Sequence, residues 1–241
     1  MATKDDGRYY SGFRPELKAY RVDYKPFKLS YAEWFKKWWL WISSRPKSDH
    51  PMLDKTGKSL KSQPNQEVFF LASAADNFDT NPYGFNTPSG SASRKLSIRN
   101  DKAILIPLIY SLNDVRSGSL ESLIDDANEC LAGTDLSLTV DGIPFDGRLG
   151  PPLSEFRITA GPFDATYGPQ SPFISDSLYN KGYGLKSVIS GYVVILAPLS
   201  VGEHTIHFIV NSKGNPKNKK NNPDFFKNVK YTLQVASKRK R

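Results

Sequence analysis

The chain has 241 residues, 39% hydrophobic and 12% aromatic, which is enough for one sizeable core and too apolar for wholesale disorder. It contains no run near the roughly 18 apolar residues of a membrane-spanning helix. The opening MATKDDGRYY lacks the apolar segment of a secretory signal, and the single cysteine, Cys130, excludes an internal disulfide framework and a cysteine-built metal cage.

The net charge of +9 is unevenly spread. Residues 1–47 carry 11 basic and 5 acidic side chains (+6), residues 48–212 carry 12 and 18 (−6), and residues 213–241 carry 10 and 1 (+9). Basic ends on a mildly acidic body suit an anionic partner, such as nucleic acid or the acidic face of another subunit, or else serve as solvated ends.

In chain order, residues 1–28 form an arm with no helical or strand period. Its Tyr9, Tyr10, Phe13, Tyr20, Tyr24 and Phe27 are too many aromatics for a freely solvated tail, so the arm is expected to lie along a surface, its own or a neighbour's. A helix follows over LSYAEWFKKWWLWIS. Ser30 can accept an orphaned backbone N–H, Glu33 can reach back to form a capping box, and Leu29 and Trp34 fit a hydrophobic staple. Tyr31, Trp34, Phe35, Trp38, Trp39, Trp41 and Ile42 recur with helical period, and Lys36 and Lys37 fall opposite. All four tryptophans lie here, and Pro46 ends the run. Such a stripe is expected to seal the open side of a sandwich rather than to form a ligand platform.

Short apolar runs between Gly, Pro, Asn and Ser clusters come next. Strands are expected at residues 67–73, 102–110, 135–140, 156–160, 192–199, 204–210 and 229–235. Leu136, Leu138 and Val140 share one face, as do Tyr231, Leu233 and Val235. A second helix is expected over SLESLIDDANECLAG, with Ser119 as cap, a stripe of Leu120, Leu123, Ile124, Ala127 and Leu131, and Gly133 at the C-terminal glycine position. Residues 76–93 and 161–184 read as long loops, and the second has the tyrosines of an adaptable recognition surface. The absence of βαβ alternation excludes a parallel α/β sheet. The expected fold is mainly β, an antiparallel sandwich of jelly-roll type with two helices. It comprises an arm (1–28), one domain (29–235) and a basic tail (236–241).

Two blocks carry a resemblance. One is YAEWFKKWWLW, then Pro46, HPMLDKTG, Gln66 and VFFLA; the other is TDLSLTVDG followed by SGYVVILAPLSVGEHTIHF. Together they resemble an uncharacterised family of β-sandwich proteins over roughly residues 29–210. That family pairs a Trp-rich helix and a P-x-LD-x-TG stretch with a GY-x-V-x-L-x-PL-x-x-G-x-HTIHF stretch. The resemblance implies the sandwich fold and no particular activity. Many members are exported and carry extra cysteines, from which this chain departs, and the basic tail lies outside the similarity.

Chemistry is sparsely signalled. In APLSVGEHTIHF, Pro198 ends a strand, Gly202 turns the chain and Thr205, Ile206 and Phe208 return, which reads as a hairpin. His204 and His207 are three apart, so a strand sends them to opposite faces, away from a shared metal. His50 is the remaining histidine. There is no G-x-S-x-G elbow and no phosphate-cradling glycine loop. Asp141, Asp146, Asp164 and Asp176 sit in turn contexts, and a glycosidase-type pair would need Glu155 and Asp164 to converge.

No cofactor or metal is expected. The candidate polyanion contacts are Lys217, Lys219 and Lys220 in a loop, and Lys238, Arg239, Lys240 and Arg241 at the tail, the last four also matching a short nuclear-import pattern. Tyr167, Tyr179 and Tyr183 are the candidate ligand or partner face. The expectation is a non-enzymatic sandwich acting by binding or assembly, for instance a virion or shell subunit inside a cell or a particle. Its expected partners are further copies or another subunit, non-specific nucleic acid and no membrane. The alternative is a carbohydrate-binding or carbohydrate-active sandwich, because tyrosine rings stack on sugar faces.

Overall fold

The computed structural model describes residues 7–10, 17–64, 67–76, 80–81, 84–85, 89–114, 119–145, 151–173, 185–213 and 224–238. Two sheets and two helices build a mainly β, sandwich-like body. Sheet 1 has the order β1 (Val68–Phe70), β5 (Ala103–Asp114), β9 (Leu185–Leu196), β8 (Arg157–Ala165). Sheet 2 has the order β4 (Gly90–Arg99), β11 (Phe225–Ala236), β10 (Gly202–Ser212), β6 (Thr134–Val140), β7 (Ile143–Pro144). A two-residue ladder pairs β2 (Thr80–Asn81) with β3 (Gly84–Phe85). Pairing is antiparallel except for β1 with β5 and β4 with β11, which are parallel.

The Trp-rich helix α1 (Tyr31–Ser43) starts as its sequence dictates. Ser30 Oγ accepts the Glu33 N–H at 3.2 Å, and Glu33 Oε2 accepts the Ser30 N–H at 2.7 Å. Its tryptophans are core residues, none more than 8% exposed. Trp34 and Trp41 meet Phe70 of β1, Trp38 and Trp39 meet Tyr110 of β5, and the Lys36 ammonium lies over Phe163 of β8. The helix therefore lies across sheet 1. Each buried indole is worth on the order of 4–6 kcal/mol of transfer free energy before entropy is charged against it. Indole N–H groups of Trp34, Trp38 and Trp41 donate to the carbonyls of Pro26, Leu71 and Ser62. Gly191 of β9 makes the approach possible: a Cβ there would stand 2.9 Å from the Phe35 ring and 2.5 Å from the Ile109 carbonyl oxygen.

The second helix, α2 (Leu120–Cys130), packs on β5 and β9. Ser119 Oγ accepts the Ser122 N–H, and Gly133 takes the left-handed conformation expected of it, φ +67°. Leu123, Ala127 and Leu131 are buried as the stripe requires, but Ile124 points outward and is exposed. A stripe centred on Leu123 and Ala127 leaves it at the rim.

Three expectations need correction. The expected loop at 161–184 begins in strand, since residues 161–165 complete β8. The connection 197–201 is not a hairpin: β9 belongs to sheet 1 and β10 to sheet 2, so the chain arches from one layer to the other. The expected loop at 76–93 ends in strand, since Gly90–Ser93 open β4. The inward positions of β4 begin Gly90, Ala92, Arg94, and only then Leu96 and Ile98, so half the strand lacks the apolar alternation that would mark it.

Candidate functional site

Of the expected basic contacts, Lys238 alone falls among the described residues. Residues 214–223, with Lys217, Lys219 and Lys220, lie outside the described residues, as do Arg239, Lys240 and Arg241. Topology still fixes their points of attachment. The segment 214–223 joins the end of β10 to the start of β11, and the tail leaves the far end of β11, about 35 Å away along the strands.

Lys238, at the tail's base, is docked. Its N–H donates to Asn100 Oδ1 at 3.0 Å, and its Nζ lies 3.4 Å from Asp101 Oδ2. Arg99 forks onto the same carboxylate, Nε to Oδ1 at 2.9 Å and Nη2 to Oδ2 at 2.7 Å. Arg99 first, with Lys238 adding to it, holds the Asp101 carboxyl below its ordinary range. Arg99 and Lys238 are exposed and Asp101 is half-buried, so the pairs position the tail more than they stabilise the fold.

This corner opens onto the outer face of sheet 2. Alternation along β4 and β11 sends Ser91, Ser93, Lys95, Ser97 and Arg99, and Asn228, Lys230, Thr232 and Gln234, to one side. Register lines them up in rows. Ser93, Lys230, His207 and Thr139 stand abreast, then Lys95, Thr232 and Thr205, then Ser97, Gln234 and Glu203. Lys95, Lys230 and Lys238 are exposed on or beside it. Both helices pack instead on strands of sheet 1.

The tyrosine set is only partly described. Tyr167 is half-buried, its ring edge-on to Trp39 at 6.4 Å, and the adjacent Gly168 N–H donates to the Ser43 carbonyl at the end of α1. Tyr179 and Tyr183 lie outside the described residues.

The VDG turn after β6 and the start of β10 meet at Asp141 and His204, a contact that sequence reasoning missed. His204 Nδ1 is 2.7 Å from Asp141 Oδ2, and Asp141 Oδ1 accepts the Thr205 N–H at 2.7 Å. His204 Nε2 lies 3.2 Å from Ser200 Oγ and 3.0 Å from the Ser200 carbonyl oxygen. The trio has the composition of a hydrolytic relay, but not its proton arrangement. A general base must accept the serine proton at Nε2. A carbonyl oxygen can only accept, so the shorter contact makes Nε2 a donor. Both ring nitrogens face oxygens, a hydrogen-bonded clamp tying the arch 197–201 to the turn after β6. Asp141 itself adopts φ +52° in that turn, as aspartate tolerates.

Two buried basic side chains, Arg94 and Lys227, face inward from sheet 2. Arg94 is fully buried and donates to the carbonyls of Asp54, Ala72, Pro51, Met52 and Ser73 and to Tyr231 Oη. The LDKTG stretch of the first block is the loop that wraps it. Asp54 accepts from Thr56 N–H, Thr56 Oγ1 and Ser59 N–H. Burial alone would raise the Asp54 carboxyl, but these hydrogen bonds outweigh it and leave it lowered. Lys227 donates to the Ala74 carbonyl at 2.6 Å, and burial pushes its ammonium down to about 7.

Among the described residues, no group of three or more His, Cys, Asp or Glu side chains is placed to hold a metal ion. No described helix is long and apolar enough to cross a membrane. Comparison of the chain with protein-family models, with curated proteins and with solved structures gives no match.

Proposed function

We propose that the protein is a non-enzymatic β-sandwich subunit that works by binding and assembly, with the outer face of sheet 2 and its basic corner offered to an anionic partner. The observation that carries this reading is the docked tail base. Lys238 is held beside Arg99, at the end of a largely polar face that also presents Lys95 and Lys230, with Phe226 exposed toward its opposite end. Short hydroxyl and amide side chains between the lysines leave a phosphate-bearing partner room to lie against the strands. The attraction is a charge effect, so it is blind to sequence and weakens with salt.

Light scattering across protein concentration and salt, with and without a single-stranded oligonucleotide, tests the reading together with fluorescence anisotropy of that oligonucleotide. Oligomers and salt-dependent binding are expected. Lys95→Glu with Lys230→Glu, or removal of residues 238–241, should weaken binding at least tenfold and flatten the salt slope by about one for each phosphate no longer neutralised. A strict monomer throughout, with no binding, overturns the proposal.

A further inference from the structure

The N-terminal arm is held as an added strand. β8 pairs with β9 only as far as Tyr192, so beyond that residue β9 has an edge that β8 does not reach. The arm fills it: Tyr20 N–H donates to the Ile195 carbonyl at 2.9 Å, Ala197 N–H donates to the Lys18 carbonyl at 2.8 Å, and Ala19 stands opposite Leu196. Residues 8–10 lie against residues 19–21 in turn, through Tyr10 N–H to the Ala19 carbonyl and Arg21 N–H to the Arg8 carbonyl. Leu17, Ala19 and Tyr20 are buried, and Tyr31 Oη of α1 donates to the Tyr20 carbonyl and accepts the Ile195 N–H.

The link from this strand to α1 is strained. Phe27 (φ +54°) and Lys28 (φ +68°) are consecutive residues in the left-handed region that side chains with a Cβ avoid. An arm seated by strand addition and tethered through a strained link has the ingredients of segment exchange, in which every contact is kept and only the link changes.

We propose that the arm strand, residues 17–21, exchanges between two copies of this chain, each strand filling the β9 edge of the other, with residues 22–29 as the hinge. The proposal rests on the assembly reading and names the segment that would carry it. The occupant is a second copy because the β9 edge already pairs with this segment, backbone to backbone at Tyr20–Ile195 and Ala197–Lys18, and a second copy supplies the same segment.

Ala19 and Leu196 face each other as a non-hydrogen-bonded antiparallel pair, the closer of the two pair types. Ala19→Cys with Leu196→Cys in a Cys130→Ser background therefore reports where the arm sits. The protein is oxidised at a concentration where light scattering gives dimer or larger and run on a non-reducing gel. Exchange predicts a covalent dimer. Oligomers whose bond is wholly intrachain overturn exchange and leave assembly standing; a strict monomer overturns both. Lys18→Cys with Ala197→Cys, nearer the surface, serves if the buried pair impairs folding. Phe27→Gly with Lys28→Gly relieves the closed form and should weaken the dimer roughly tenfold or more; an unchanged dissociation constant counts against the hinge.

Discussion

Among the described residues, sheet 1 is covered on both faces, whereas sheet 2 is covered on one. In β5 every residue from Ala103 to Ile109 is buried, while β4 alternates buried and exposed along its whole length. Covering the outer side of sheet 1 takes a helix with four tryptophans, and a bulge between Pro107 and Ile109 of β5 keeps Tyr110 turned toward it. Sheet 2 keeps a largely polar outer face and places two basic side chains, Arg94 and Lys227, on its inner one. Sheet 1 is thus stabilised by apolar area, and the inner rim of sheet 2 by hydrogen bonds from buried basic groups to loop carbonyls. The first mechanism tolerates a volume-conserving swap, and the second does not tolerate loss of its donor.

The largest effect that tests this contrast is expected at Arg94. Arg94→Met keeps much of the volume but takes the donor from the buried carbonyls of Pro51, Asp54 and Ser73, and should cost about 3–5 kcal/mol in urea unfolding, with Arg94→Lys recovering little because one ammonium cannot reach all of them. Trp38→Ala opens a cavity under sheet 1 and loses the bond to Leu71, for about 3–5 kcal/mol, whereas Trp38→Phe should cost distinctly less. If Arg94→Met proved as mild as Trp38→Phe, the division between the two sheets would fail.

Sheet 1 was largely legible, because helical period, a capping box and continuous apolar runs follow from short-range patterns. Ser30, Glu33 and the tryptophans announce α1, and β5 is visible as AILIPLIY. The first half of β9 was hidden because Ser187, Ser190 and Gly191 are interior, the last so that Phe35 can approach. β4 was hidden because an inward arginine reads as a loop residue. Asp141 and His204 were visible as a turn and a strand start, but their pairing spans 63 positions and depends on the sheet register. A charge buried against backbone carbonyls leaves no pattern in sequence, since every residue supplies a carbonyl.

The contrast also has a pH signature. His50 is buried beside α1, Nε2 on the Ile42 carbonyl and Nδ1 accepting the Met52 N–H, and burial lowers it to about 3. The folded chain keeps it neutral while the unfolded chain protonates it below about 6.5, so stability falls as pH drops from 6.5 toward 3, by up to about 1.4 kcal/mol per unit. Lys227 acts in a higher window. The unfolded lysine binds its proton up to about 10.5 and the folded one only up to about 7, so its contribution to stability rises with pH between them. Urea midpoints from pH 4 to 10 should show both slopes; His50→Gln should flatten the first alone and Lys227→Met the second alone.

The smallest effects separate clamp from relay. If His204 ties the arch to the turn after β6, His204→Ala should cost about 1–2 kcal/mol and Asp141→Asn a similar amount, because each breaks a short charge-assisted bond in a half-buried place. Ser200→Ala should stay within about 0.5 kcal/mol, since the Ser200 carbonyl that holds Nε2 is untouched. A relay predicts the reverse ordering in a different measurement: Ser200→Ala would abolish hydrolysis of an activated ester and labelling by a fluorophosphonate while leaving stability alone. Wild-type chain that neither turns over the ester nor takes the label, together with a stability loss confined to His204 and Asp141, is the outcome the carbonyl contact requires. Labelling at Ser200 would mean that Nε2 releases the carbonyl and accepts the hydroxyl proton instead.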